Sequence, residues 1–185
     1  MKKLAFFSSL LVVTMFVLVS CSKKDDPSPP PSPVTVSFSL PFNVIGAANT
    51  AVNNSASANL ADILTPSGNK NNANGVTGSV IGTSSTIVFT GITGTGATLS
   101  NITFSTTDNS IKNVVLNDSF IKQPIVISND TILTMGDTNY LNFLGQIGTY
   151  LASKKNITLN ASYKINNQPI PNGKITLNIS TTFGW

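Results

Sequence analysis

Asn156-Ile157-Thr158-Leu159-Asn160-Ala161-Ser162-Tyr163-Lys164-Ile165 is the stretch on which the fold turns. Every second residue is apolar (Ile157, Leu159, Ala161, Tyr163, Ile165), and those between are Asn, Thr, Ser and Lys. A period of two puts the apolar set on one face of a strand and the polar set on the other, as in a strand buried on one side only. The pattern returns in Ile175, Leu177, Ile179, Thr181 and Phe183. Between the two runs, Asn166-Asn167-Gln168-Pro169 and Pro171-Asn172-Gly173 are turn formers, so a closing antiparallel hairpin is expected. The same alternation begins at Val34, with Val36, Phe38 and Leu40 on one face and Thr35, Ser37 and Ser39 on the other.

Working inward, residues 79–81, 86–90, 98–105, 112–116, 124–128 and 131–135 are rich in β-branched side chains and punctuated by Gly, Asn or Asp. Short strands at this spacing predict an all-β fold, an antiparallel β-sandwich-like single domain with one or two short helices, rather than a parallel sheet. One helix is expected where Tyr140, Leu144, Ile147 and Leu151 fall at i, i+4, i+7 and i+11 behind Asp137 as a cap, with Gly145 and Gly148 weakening it. Residues 57–64 suggest a further turn or two of helix, and 69–75 a polar loop. Residues 34–185, roughly 150 in all, suffice for one core and not for two.

Outside that domain the chain changes character. Met1-Lys2-Lys3 leads into an apolar run from Leu4 to Val19, broken by Ser8, Ser9 and Thr14 and followed by small Ser20. This is the three-part layout of an export signal. It is shorter than the roughly 20 residues of a spanning helix, and charged Ser22-Lys23-Lys24-Asp25-Asp26 follows it directly. Residues 1–20 therefore read as a cleaved signal peptide. Pro27-Ser28-Pro29-Pro30-Pro31-Ser32-Pro33 ends a tether over 21–33. In polyproline II, at about 3.1 Å per residue, it holds the domain roughly 35 Å from its attachment.

Leu18-Val19-Ser20-Cys21 resembles the lipobox of bacterial lipoproteins. The resemblance implies that the Cys21 thiol carries a diacylglyceryl group, that the leader is cut before Cys21, and that the new amine is acylated. The membrane would then be a partner through covalent lipid, since two or more acyl chains give stable anchoring where one does not. Lys23, Lys24, Asp25 and Asp26 are similar to the export signal of surface lipoproteins in the Bacteroidota, which implies transfer to the outer leaflet of the outer membrane. A solvated charged spacer is the competing reading of those four residues.

Composition narrows the chemistry. The chain contains no histidine, arginine or glutamate. Two of its eleven lysines fall in the leader, so nine stand against seven aspartates beyond it. No basic stripe is available for nucleic acid, and the lone tryptophan, Trp185, offers no stacking platform. The abundant Asn, Thr and Ser suit turns and outward strand faces, and an AT-rich genome explains the same letters.

Without histidine neither a Ser-His-Asp nor a Cys-His arrangement can be built, and Cys21 is committed to lipid. Asp62, Asp108, Asp118, Asp130 and Asp137 remain. A glycosidase needs two carboxylates about 5 to 9.5 Å apart, whereas these five stand beside Asn, Ser or Thr in turn-like contexts and read as turn and cap residues. Calcium could draw on Asp108-Asn109, Asn129-Asp130 or Asp137-Thr138-Asn139, but none forms a twelve-residue loop ending in glutamate. No metal and no cofactor is expected.

Gly91-Ile92-Thr93-Gly94-Thr95-Gly96 lacks the helix and acidic residue of a nucleotide site and reads as a flexible hairpin loop. Asp130-Thr131-Ile132 is similar to the acceptor of the Bacteroidota O-glycosylation system, which marks Thr131 as a candidate for sugar; a chance match of three residues is the alternative. Phe183-Gly184-Trp185 ends on an aromatic, as outer-membrane barrels do. Barrel strands need about ten residues and outward apolar bands, so here the aromatics are expected to seal the last strand against the core.

The sequence thus leads to a non-enzymatic lipoprotein of the outer membrane, facing outward, that acts as a binding or adhesion module for a glycan or a surface protein. A structural accessory subunit of an outer-membrane complex is the alternative, and an Asp-dependent hydrolase the remotest one.

Overall fold

The alternation from Val34 onward folds as β1 (Val34–Gly46), which buries Val36, Leu40, Phe42 and Val44 and exposes Thr35, Ser37, Ser39, Pro41 and Asn43. A computed structural model of the chain describes residues 28–82, 85–107, 110–111, 114–115, 127–134 and 138–185. After β1 come β2 (Ala51–Asn59), helix α1 (Leu60–Leu64), 3₁₀ turns at Thr65–Ser67 and Lys70–Gly75, β3 (Gly78–Ile81), β4 (Thr86–Thr90) and β5 (Thr98–Thr106). Then follow β6 (Val114–Val115), β7 (Thr131–Thr134), helix α2 (Thr138–Lys154), β8 (Asn156–Asn166) and β9 (Ile170–Gly184). The strands make two antiparallel sheets, β1-β9-β4-β7 with β3 also on β9, and β2-β8-β5-β6. Their apolar faces share one core, so the domain is an all-β sandwich.

The two strands at 156–166 and 170–184 are present, but they do not form the expected hairpin. β9 is flanked by β1 on one side and by β4 and β3 on the other, while β8 lies between β2 and β5 in the opposite sheet. The turn formers carry the chain across the sandwich, with Asn167 in the left-handed region (φ 67°). Side by side, two half-apolar strands would leave their apolar faces on one layer. Facing each other from opposite sheets, they bury those faces mutually.

β2 carries no strand signal in its sequence, Ala-Val-Asn-Asn-Ser-Ala-Ser-Ala-Asn, because Ala, Asn and Ser are poor strand formers. It is a strand because it pairs with β8 along its whole length, from Ala51↔Lys164 to Asn59↔Asn156, and buries Ala56. The helical turn expected over 57–64 therefore starts only at Leu60. Asn59 ends the strand and caps the helix, its Oδ1 accepting from the N–H of Ala61 (2.8 Å) and of Asp62 (3.4 Å).

The longer helix, α2, presents Phe143, Leu144, Ile147, Leu151 and Ala152 to the core. Gly148 lies against β3, where a Cβ would stand 2.5 Å from the Ser79 hydroxyl. Lys155 ends the helix in the left-handed region (φ 66°), its N–H on the Leu151 carbonyl. Its ammonium donates to the carbonyls of Ala152 (2.5 Å) and Val76 (2.8 Å), a cation at a helix C-terminus. Asp137, the expected cap at the other end, lies outside the described residues.

Three rings link the layers: Phe42 of β1 stands 5.5 Å from Phe104 of β5, and Phe104 stands 6.2 Å from Phe143 of α2. On the side where β1 and β2 are edge strands, the Tyr163 hydroxyl and the Asn54 amide both donate to the Asn43 carbonyl at 2.7 Å. Asn54 also donates to the Tyr163 oxygen at 2.9 Å, and burial pushes the Tyr163 pKa up. An inward polar residue and Pro41 on the neighbouring edge both blunt further strand addition there.

The expectation for the final aromatics holds. Phe183 is fully buried, and the Trp185 indole packs on the core while donating to the Asn72 carbonyl at 2.7 Å. That bond ties down 69–75, read from sequence as a loop and folded as a 3₁₀ turn over Lys70–Gly75.

Candidate binding surface

The register places the residues that alternate with the core on two outer faces, and that of β2-β8-β5 is nearly free of charge. Asn53, Ser55, Ser57 and Asn59 of β2 lie opposite Ser162, Asn160, Thr158 and Asn156 of β8, and Thr103 and Ser105 of β5 continue the rows. Lys164 is the one charged residue among the described positions of this face. Neighbours satisfy one another across strands: Ser57 with Thr158 at 2.9 Å, Asn59 with Asn156 at 2.5 Å, Asn166 with Ser100 at 2.9 Å. On the other sheet Ser39, Asn178 and Thr86 make a similar row across β1, β9 and β4, with bonds of 2.7 and 3.2 Å. What these faces offer is a dense set of neutral donors and acceptors.

Concave features accompany these faces among the described residues. A groove of about 650 Å³ runs along α2, lined by Ser79, Ile111, Leu141, Gln146, Tyr150 and Lys154. The Ser79 hydroxyl is buried there without a hydrogen-bond partner among the described residues. Two smaller grooves, of about 290 and 360 Å³, meet beside α1 and share Ser57, Ala58, Asn59 and Asp62. Asp62 is an exposed carboxylate whose one ion-pair neighbour among the described residues is Lys70, at 4.0 Å.

Asp130 is used differently. Its carboxylate accepts from the N–H of Ile92 (3.0 Å) and of Thr93 (3.3 Å), and its own N–H donates to the Thr93 hydroxyl at 2.8 Å. The Gly91–Gly96 segment is therefore not a hairpin loop: it crosses from β4 in one sheet to β5 in the other and is pinned by Asp130. The Ile92 N–H, followed by Thr93, holds the Asp130 carboxyl below the usual carboxylate range. A depressed folded-state pKa means that the contribution is complete above the unfolded-state value, about 3.9, and is lost as pH falls through the lower folded value. Exchange protection of the Ile92 and Thr93 amides is accordingly expected to be constant from neutrality down to about pH 5 and to fall in the acid range below 4. In Asp130→Ala that pH-dependent step should be absent, as followed by amide hydrogen exchange.

Of the other residues singled out from sequence, Thr131 is partly exposed at the start of β7, opposite Phe89. Asp62 and Asp130 stand on separate elements, α1 and the approach to β7, each with the partners given. Among the described residues no three of His, Cys, Asp or Glu come together as metal ligands. Cys21, Lys23, Lys24, Asp25, Asp26, Asp108, Asp118 and Asp137 lie outside the described residues. The polar residues around Asp62 carried no sequence signal, being indistinguishable from every other outward Ser, Thr or Asn.

No family model matches this chain. No curated protein matches it either. Among solved structures it is similar to that of desmodium yellow mottle tymovirus, at 9% identity over 87% of this chain and 95% of that one, with a TM-score of 0.30. Turnip yellow mosaic virus gives 12% identity over 84% and 83% of the two chains, also at 0.30. The VP2 subviral particle of infectious bursal disease virus gives 11% identity over 88% of this chain and 37% of that one, at 0.28. Likenesses at this level carry no argument about what this chain does.

Proposed function

We propose that this chain is an outer-membrane lipoprotein, anchored by acyl groups on Cys21 and facing outward, whose β-sandwich binds a partner without chemistry. The stretch Leu18-Val19-Ser20-Cys21, at the end of a leader too short to span a membrane, carries the anchoring part. No helix among the described residues is long and apolar enough to cross a membrane. The binding part is supported by the neutral outer face of β2-β8-β5. Asp130, ionised and occupied by backbone N–H groups, has the features of a structural pin rather than of a proton donor.

Mass spectrometry of the protein from its native host is expected to find a chain that begins at Cys21 and carries acyl groups. An unmodified Cys21 thiol would refute the anchor. Protease added to intact cells should remove the domain, and replacing Asp25 and Asp26 by alanine should protect it. Protection of the unaltered protein, together with co-purification with a barrel, would replace the binding role by that of an accessory subunit.

A further inference from the structure

Taking the domain to be a binding module, we propose that the cleft around Asp62 is a carbohydrate subsite for one neutral sugar unit of a polysaccharide, an assignment that rests on that reading and names its ligand. One of the two grooves meeting at Asp62 runs over the edges of β1 and β2 past Ser37, Phe38, Ser39 and Pro66. The other runs over the start of β8 past Asn156 and Thr158. Each is near the lower end of the roughly 300–1,000 Å³ in which small ligands are held.

A sugar presents hydroxyls that both donate and accept, together with an apolar C–H face. The cleft has a counterpart for each. The Asp62 carboxylate is an acceptor with two oxygens, and hydrogen bonds to an ionised acceptor are about twice as strong as neutral ones. Two adjacent sugar hydroxyls can donate to it together. Lys70, 4.0 Å from one of its oxygens and itself well exposed, forms only a loose ion pair that leaves the carboxylate open to solvent. The hydroxyls of Ser57 and Thr158 bond each other and keep spare acceptor capacity, and the Asn156 amide adds donors beside them. Half-buried Phe38 with Pro66 supplies an apolar wall.

Charge selects among glycans. Among the described residues that line the grooves Asp62 is the only charged one, and Lys70 stands 4.0 Å from it but outside both linings, so a uronate, sialate or sulfate group would meet a like charge within the cleft. A divalent cation is a poor occupant, since calcium takes six to eight oxygens and the lining offers one carboxylate.

The experiment is native affinity electrophoresis of the full lipoprotein in detergent, through gels containing galactomannan, xyloglucan or starch, with heparin as the polyanionic comparison. At least one neutral polysaccharide is expected to retard the protein, and heparin is not. Asp62→Asn should weaken that retardation about tenfold or more at an unchanged melting temperature, because the Asp62 side chain is exposed and its nearest partner is a loose surface pair. Lys174→Ala, on the other sheet, should behave as the parent. Retardation by heparin alone, or by no neutral polysaccharide, overturns the ligand class. Unaltered retardation of Asp62→Asn overturns the site while leaving the binding-module reading in place. That reading fails separately, if the domain on intact cells is beyond the reach of protease.

Discussion

Phe104→Ala is expected to lower the thermal midpoint by roughly 6–20 °C, from a loss of about 3–5 kcal/mol. The Phe104 ring is fully buried and is the middle member of the Phe42–Phe104–Phe143 row, meeting Phe42 across the sandwich and Phe143 on α2. Truncation removes the transfer energy of the ring and leaves a cavity walled by two sheets and a helix. β5, held between β8 and β6, cannot easily collapse into it. Phe104→Leu restores much of the volume and should recover about half of the loss. Calorimetric unfolding checks the series, and a loss under 1 kcal/mol for the alanine variant would mean that the three layers are not joined through this ring.

Gly91→Ala should be nearly as damaging although it adds a single methyl group, with about 3 kcal/mol expected. Gly91 has φ 76°, where an L-residue is strained, and a Cβ there would run into the Asn172 carbonyl oxygen and lie 3.0 Å from the Gly173 Cα. Neither obstacle is the movable end of a side chain. Both belong to the start of β9, which is held by β1 and β4, so relief means moving the ladder itself. Gly94→Ala is the internal control: φ is 80°, yet nothing lies within 4 Å of its Cβ position. It should lose only the conformational part, about 1 kcal/mol. Urea unfolding of the two variants separates strain from collision, and equal losses would show that collision contributes nothing.

Period-two alternation in β1, β8 and β9 could be read directly because one face of each strand is buried and the other solvated. Which strands pair could not. The turn between β8 and β9 has the composition of a hairpin, and only the competition for partners sends the two strands to different sheets. β2 was illegible for the opposite reason: its stability lies in β8, not in its own side chains. The Asp62 cleft escaped notice because Ser37, Ser57, Asp62 and Thr158 are brought together by register and by a single helical turn, with no motif in sequence. Asp130 reads from sequence as a turn residue, but its hydrogen bonds are to a distant segment and not to a local turn. The Thr93 and Ile92 amides it serves lie 37 and 38 positions away, beyond the reach of any local pattern.

The pairing of β1 with β9, from Val34↔Phe183 to Gly46↔Ile170, has a kinetic consequence. Strands from opposite ends of the domain sequence are neighbours in one sheet, and β9 is also the strand on which β3 and β4 assemble. That ladder cannot start until nearly all of the domain sequence is free to move, and closing so large a loop costs entropy before any contact repays it. Folding is therefore expected in milliseconds to seconds rather than microseconds. A chain caught partway through a translocation channel would still lack its central strand, and so would remain in the unfolded form that can be threaded through.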